Sequence, residues 1–156
     1  MNDDDMGDDD ISAIFERAAA RGRGLAAAYA GAVTPVEAHA LIASGKAKLI
    51  DVRTRAEWDY VGRVPETTLI EWKRLGSPEP NPHFIAELGS AGDKQDNYLF
   101  LCRSGVRSQA AAAAAAAAGY RGAYNILEGF EGGLDQDGHR GAVDGWRKAG
   151  LPWVQS

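Results

Sequence analysis

Tyr98-Leu99-Phe100-Leu101-Cys102-Arg103-Ser104-Gly105-Val106-Arg107-Ser108 passes without a break from an apolar run into a charged loop, and nine alanines, Ala110 to Ala118, follow. The apolar run, bounded by Asp96-Asn97, reads as a short strand buried on both faces. Alanine has the highest helix propensity, so the run after the loop reads as a helix ended by Gly119. Small side chains let such a helix lie close against a sheet. A strand that feeds a helix in this way is the building unit of an α/β fold.

The same alternation extends in both directions. Thr34-Pro35-Val36-Glu37 starts a helix: Thr34 caps, Pro35 takes the first helical position and Glu37 completes a capping box. That helix runs to about Ser44 and stops at Gly45. Ala47 to Arg53 reads as a strand ending in charge, Arg55 to Tyr60 as a helical turn, and Gly62 to Pro65 as a turn. Thr67 to Ile70 is a second short strand, and Pro78, Pro80 and Pro82 mark a loop before a helix over His83–Leu88. Ala123 to Leu127 is a further strand, and Ala142 to Ala149 is expected as a last short helix. Strands alternating with helices predict an α/β fold, a mainly parallel central sheet of about five short strands flanked by helices.

Composition narrows the function. The 156 residues are 45% hydrophobic and 25% charged, which suits one domain. The net charge of −5 comes from the start, where Asp3, Asp4, Asp5, Asp8, Asp9 and Asp10 stand within ten residues. Setting those six aside leaves 16 acidic residues against 17 basic ones, so the body is near neutral and nucleic-acid binding is not expected. One cysteine excludes an internal disulfide and a cysteine-rich metal centre. No apolar run approaches the roughly 20 residues that cross a bilayer, so no membrane association is expected. The acidic start lacks the basic, then apolar, order of a secretory signal, so a cytoplasmic location is expected. Residues 1–10 are expected to form an acidic, disordered tail, with its last aspartates capping a helix over about residues 11–20. Ile11, Ile14, Phe15 and Ala18 give that helix an apolar face that straps onto the domain; docking a partner is the alternative. Gly22, Gly24 and Gly31 read as a linker, so residues 11–33 are helix and linker.

The candidate chemistry lies in the loop. In open parallel sheets ligands sit at the carboxyl ends of strands. The first turn of a helix presents unpaired N–H groups and a positive partial charge, binds anions and favours the thiolate form of a cysteine. Arg103 and Arg107 add two cations, Gly105 lets the backbone curl, and Ser104 and Ser108 offer hydroxyls. A lone cysteine is commonly just a small buried apolar residue. The charged and polar run Arg103-Ser104-Gly105-Val106-Arg107-Ser108 directly after Cys102 makes this one read as a nucleophile in an anion-binding cradle.

These residues resemble the single-domain rhodanese-like sulfurtransferases. The stretch Cys102 to Ser108 resembles that family's active-site loop. Leu49-Ile50-Asp51-Val52-Arg53 with Glu57-Trp58 resembles its Asp-Val-Arg segment, and Gly62-Arg63-Val64-Pro65 stands where it usually has Gly-His-Ile-Pro. Gly119-Tyr120, Tyr124-Asn125, Leu127-Glu128-Gly129-Phe130 and Gly145-Trp146 resemble its later motifs. The resemblance covers about residues 34–153 and implies a rhodanese-like three-layer domain over 34–156. Arg63, Glu66 and Phe130 depart from the family's usual residues, and residues 131–145 look like an insertion.

The resemblance implies a thiosulfate sulfurtransferase. Cys102 is its catalytic residue, carrying a persulfide. Arg103, Ser104, Gly105, Val106, Arg107 and Ser108 bind the substrate. A basic residue directly after the cysteine is typical of the family's thiosulfate users, so Arg103 points to thiosulfate. Cyanide or a thiol takes the sulfur, or a protein acceptor does. No cofactor or metal is expected, and a monomer is. Asp51, Arg53 and Glu57 resemble the family's structural charges, although Asp51 stands at a strand end near the site. Trp72 reads as either packing or pocket lining. Two alternatives compete. A persulfide carrier or sensor would use the same cysteine with a partner protein. A phosphatase would have five residues between its cysteine and arginine, whereas only four separate Cys102 from Arg107.

Overall fold

The computed structural model describes residues 7–155. Its elements in chain order are α1 (Asp8–Gly24), β1 (Gly31–Val33), α2 (Pro35–Ala43), β2 (Lys48–Asp51), α3 (Arg55–Tyr60), β3 (Thr68–Leu69), α4 (Phe84–Gly89), β4 (Asn97–Leu101), α5 (Arg107–Ala117) and β5 (Gly122–Ile126). The five strands form one sheet in the order β1-β5-β4-β2-β3, and every pairing is parallel. All strands therefore end on the same side, where the loop after central β4 begins.

Alternation along the strands supplies two cores. Leu99 and Leu101 join Leu49, Ile126, Phe130 and Trp146 on one face, under α1 and α2. Tyr98, Phe100 and Cys102 face the other way, against Ala111, Ala112 and Ala115 of α5 and Phe84 and Leu88 of α4. The alanine side of α5 is thus its buried face. With nothing larger than alanine and one serine on that face, the helix axis comes close to the sheet, and so does its N-terminus.

Local signals set several ends as read. Thr34 caps α2 with the full capping box, as read; Thr54, which the sequence reading did not single out, does the same for α3. Three expectations need correction. First, α1 is longer than residues 11–20. Asp8, Asp9 and Asp10 form its first turn after Gly7, so they are helical and not tail, and none acts as the cap. Carboxylates there complement the helix dipole. The rest of the expected tail, residues 1–6, lies outside the described residues.

Second, the expected linker is structured. Gly22 and Gly24 belong to α1, and Gly31 opens β1, which pairs with β5. A Cβ at Gly31 would stand 2.2 Å from the Ala18 carbonyl oxygen, so glycine lets α1 cross this strand at close range. Ile11, Ile14 and Ala18 are buried as a strap. Third, residues 142–149 form turns, not a helix. Gly145 has φ +105°, outside helical space, and Trp146 N–H donates to Gly129 O at 2.9 Å. The fully buried Trp146 indole anchors this segment and donates to Pro152 O at 2.8 Å.

Candidate active site

Cys102 is the residue after β4. Its side chain is 1% exposed. The loop folds back so that Gly105 N–H donates to Cys102 Sγ at 3.1 Å. Ser108 Oγ, from the first turn of α5, lies 3.2 Å from the same sulfur. The Ser108 hydroxyl donates in turn to Asn125 Oδ1 on β5. The Asn125 amide is oriented by its own Nδ2, which donates to Gly105 O at 3.3 Å. Cys102, Gly105, Asn125 and Ser108 thus close a ring of hydrogen bonds. With its proton directed at Asn125, Ser108 presents a lone pair to the sulfur, and the donor that Sγ meets is the Gly105 N–H. A backbone N–H aimed at the sulfur can stabilise negative charge that develops there during a reaction. Two further bonds pin the loop from outside: Phe130 N–H to Cys102 O at 2.8 Å and Glu131 N–H to Arg103 O at 2.9 Å.

Arg107 is not free. Its two terminal nitrogens donate to Glu57 Oε1 and Oε2 at 2.6 and 2.8 Å. Glu57 is also the third residue of α3 and accepts from Thr54 N–H at 3.1 Å. Burial alone would raise the Glu57 pKa, but the guanidinium and the Thr54 N–H outweigh it and bring it down to about 2. Glu57 likewise raises the Arg107 pKa, with smaller contributions from Cys102 and Asp51. Both partners stay charged, and Arg107 is held in one place.

A cleft of about 550 Å³ opens beside the loop, with Arg103 and Arg107 in its wall. Ser104, Gly105 and Val106 do not line it, and Val106 is 70% exposed on the loop's outer side. Ser108 is buried beneath, with Cys102. The site residues read from the sequence therefore divide. Cys102, Gly105 and Ser108 surround the sulfur, Arg103 and Arg107 face the cleft, and Ser104 and Val106 touch neither.

Asp51 and Trp72 are resolved as structural. Arg53 Nη2 meets Asp51 Oδ2 at 2.7 Å with both side chains fully buried, and the guanidinium lies 4.4 Å over the Phe130 ring. Trp72 packs edge-on against Phe84 at 5.1 Å, while Lys73 and Arg74, just after it, enter the cleft wall. Sequence reasoning missed the site roles of Asn125, Lys73, Arg74 and Arg140. It placed Glu57 only among structural charges. None of these carries a local signal, because each reaches the site from another element.

The Rhodanese-like domain family matches residues 34–136, more than half of the chain. The chain belongs to the rhodanese-like family. The crystal structure of Rv0390 from M. tuberculosis superposes on this rhodanese-like chain with a TM-score of 0.73 and 45% identity, covering 82% of this chain and 99% of that one. An uncharacterized protein of Rickettsia conorii is 38% identical over 120 residues, 72% of this chain and 87% of its own length. Human thiosulfate:glutathione sulfurtransferase is 32% identical over 114 residues, 70% of this chain and 98% of its own. Among the described residues of this rhodanese-like domain, no helix is long and apolar enough to cross a membrane.

Proposed function

We propose that this protein is a sulfurtransferase that moves sulfane sulfur from thiosulfate to cyanide or a thiol through a persulfide on Cys102. The thiolate of Cys102 attacks the outer sulfur of thiosulfate. The donor's S–S bond breaks, and its electron pair leaves with sulfite. The acceptor then attacks the outer sulfur of the persulfide, and the pair of the breaking Sγ–S bond returns to Cys102. This is covalent catalysis in two half-reactions.

The observation that carries the reading is the sulfur cradle: Gly105 N–H on Sγ at 3.1 Å, in the loop that leads into α5. Arg103 is exposed at the cleft and suits the approaching dianion. Arg107, already neutralised by Glu57, orients the loop more than it binds the donor. That pairing also disfavours phosphoester chemistry, in which the loop's arginine must turn both nitrogens to the phosphate. The curated human relative, whose name pairs thiosulfate with glutathione, adds support.

The test is intact mass after incubation of the reduced protein with thiosulfate. Gain of one sulfur atom, removable by cyanide and absent in Cys102→Ser, is the expected result. No gain in the native protein would refute thiosulfate as donor.

A second reading has its own observation. Leu134 and Val143, in the insertion, are 57% and 54% exposed. Large apolar side chains at a surface serve a persulfide carrier that hands sulfur to a partner protein. Faster discharge to small thiols than to any protein acceptor would sink that reading.

A further inference from the structure

The hydrogen bonds around the Cys102 sulfur run in one direction only, and the backbone of Gly105 fixes that direction. Its N–H donates to Sγ at 3.1 Å, and its carbonyl accepts from the side chain of Asn125 at 3.3 Å. A carbonyl only accepts, so the Asn125 amide has to turn Nδ2 to Gly105 and Oδ1 to Ser108. Oδ1 only accepts as well, so the one proton of the Ser108 hydroxyl goes to Asn125. What remains for Sγ, 3.2 Å from Ser108 Oγ, is a lone pair. Cys102, Ser108 and Asn125 are all buried, so water offers no substitute partner.

An S–H fits this setting, because it donates to Ser108 and accepts from Gly105. A thiolate fits poorly: one donor faces it, and one lone pair repels it. Turning the hydroxyl onto the sulfur leaves Asn125 Oδ1 buried without a donor, which carries its own penalty. A persulfide is different again. Its inner sulfur has neither proton nor full charge, since the charge sits on the outer sulfur, one bond away. The charged groups about the sulfur are Arg107 of α5, held by Glu57 of α3, Arg103 in the cleft wall, and Asp51 at the end of β2, held by Arg53. None of them belongs to the ring of hydrogen bonds.

We infer that Asn125 is a positioning residue: through Ser108 it keeps negative charge off Sγ and so favours the loaded persulfide over the bare thiolate. This rests on the sulfur-transfer reading. The step it governs most directly is the return of sulfur to sulfite. Sulfite attacks the outer sulfur, and the new S–S bond makes thiosulfate. The Sγ–S bond breaks, and its electron pair stays on Sγ. Charge thus moves onto the atom where the ring resists it, and the sulfur is held against the sulfite that loading releases.

Asn125→Leu, Ser108→Ala and the double variant test this on the full chain. Circular dichroism and thermal unfolding check folding, and Asn125→Ala carries the same expectations should leucine fail to pack. The first measurement needs no persulfide: alkylation of Cys102 by iodoacetamide is followed against pH. Asn125→Leu frees the Ser108 hydroxyl to donate to the thiolate, so the midpoint is expected about one pH unit lower than in the native protein. The second titrates the loaded persulfide with sulfite at a pH above both midpoints. Loading uses thiosulfate or, where that fails, inorganic polysulfide. The ratio of sulfite to thiosulfate at half discharge is expected about tenfold lower in Asn125→Leu. With Ser108→Ala already in place, the same change at Asn125 is expected to move neither reading, because there is no hydroxyl to turn.

Equal shifts with and without the Ser108 hydroxyl would overturn the inference, since Asn125 would then act only by shaping the loop. So would an unmoved alkylation midpoint, or a lower midpoint with an unchanged sulfite ratio. Loading by polysulfide alone would remove only the proposed donor, and the sulfite titration would still decide the role of Asn125.

Discussion

Glu37 and Glu57 occupy the same local position in two helices and do different work. Each is the third residue after a capping threonine, Thr34 or Thr54, and each closes a full capping box. Burial would raise the pKa of both, yet arginine and backbone partners bring each down to about 2. Their partners differ. Glu37 takes Arg17 at 2.8 Å and Arg21 at 2.7 Å, both from α1, and so ties the strap to α2. Glu57 takes Arg107 at 2.6 Å and so ties α3 to the Cys102 loop. One motif therefore serves the fold in the first case and the site in the second, and only the tertiary partner tells them apart.

The largest expected effect sets the scale for this comparison. Arg53→Met leaves Asp51 buried without its partner, and such a loss costs about 3–5 kcal/mol. Urea unfolding measures it, and a loss below about 1 kcal/mol would show that the fully buried pair is no more structural than the other two.

The central contrast comes next. Glu57→Gln is expected to lower the second-order rate of sulfur loading by thiosulfate about tenfold. Glu37→Gln should leave that rate within about twofold while lowering stability. Similar loading rates in the two variants would break the distinction between fold and site.

The last contrast is in acid. The two pKa values lie at about 2 in the folded protein against an ordinary 4.5. A depressed carboxylate stabilises fully above the unfolded value, and the contribution fades as pH falls toward the folded one. The native protein should thus lose stability between about pH 4.5 and pH 2, with a shallower slope in each glutamine variant and the shallowest in the double variant. Denaturant midpoints across that range give the slopes, and a double variant as steep as the native chain would place the acid sensitivity elsewhere.

What was legible in the sequence follows the same division. Thr34, Pro35 and Gly45 act on their own neighbours, so the ends of α2 were readable. The loop from Cys102 to Ser108 was readable because its parts are contiguous. β1 was not, because Gly31 carries a loop signal, and its reason is the Ala18 backbone crossing at close range. The helix expected over 142–149 failed because Trp146 pulls the chain inward through Gly145. At the site, Asn125 stands 17 residues from Ser108 and Glu57 stands 50 from Arg107, so no spacing rule joins them. The family resemblance suggested the chemistry of the loop but could not supply Arg140 of the insertion.

The sheet's margins have a consequence for life at high concentration. Tyr98 to Leu101 is a fully buried, aromatic and aliphatic run of the kind that templates aggregation when a neighbouring chain can add to the stack. One margin is β1, three residues long and roofed by α1, and the other is β3, two residues long. An incoming strand finds too few free N–H and C=O groups at either margin to hold its register. The two shortest strands of the domain are therefore its protection against polymerisation.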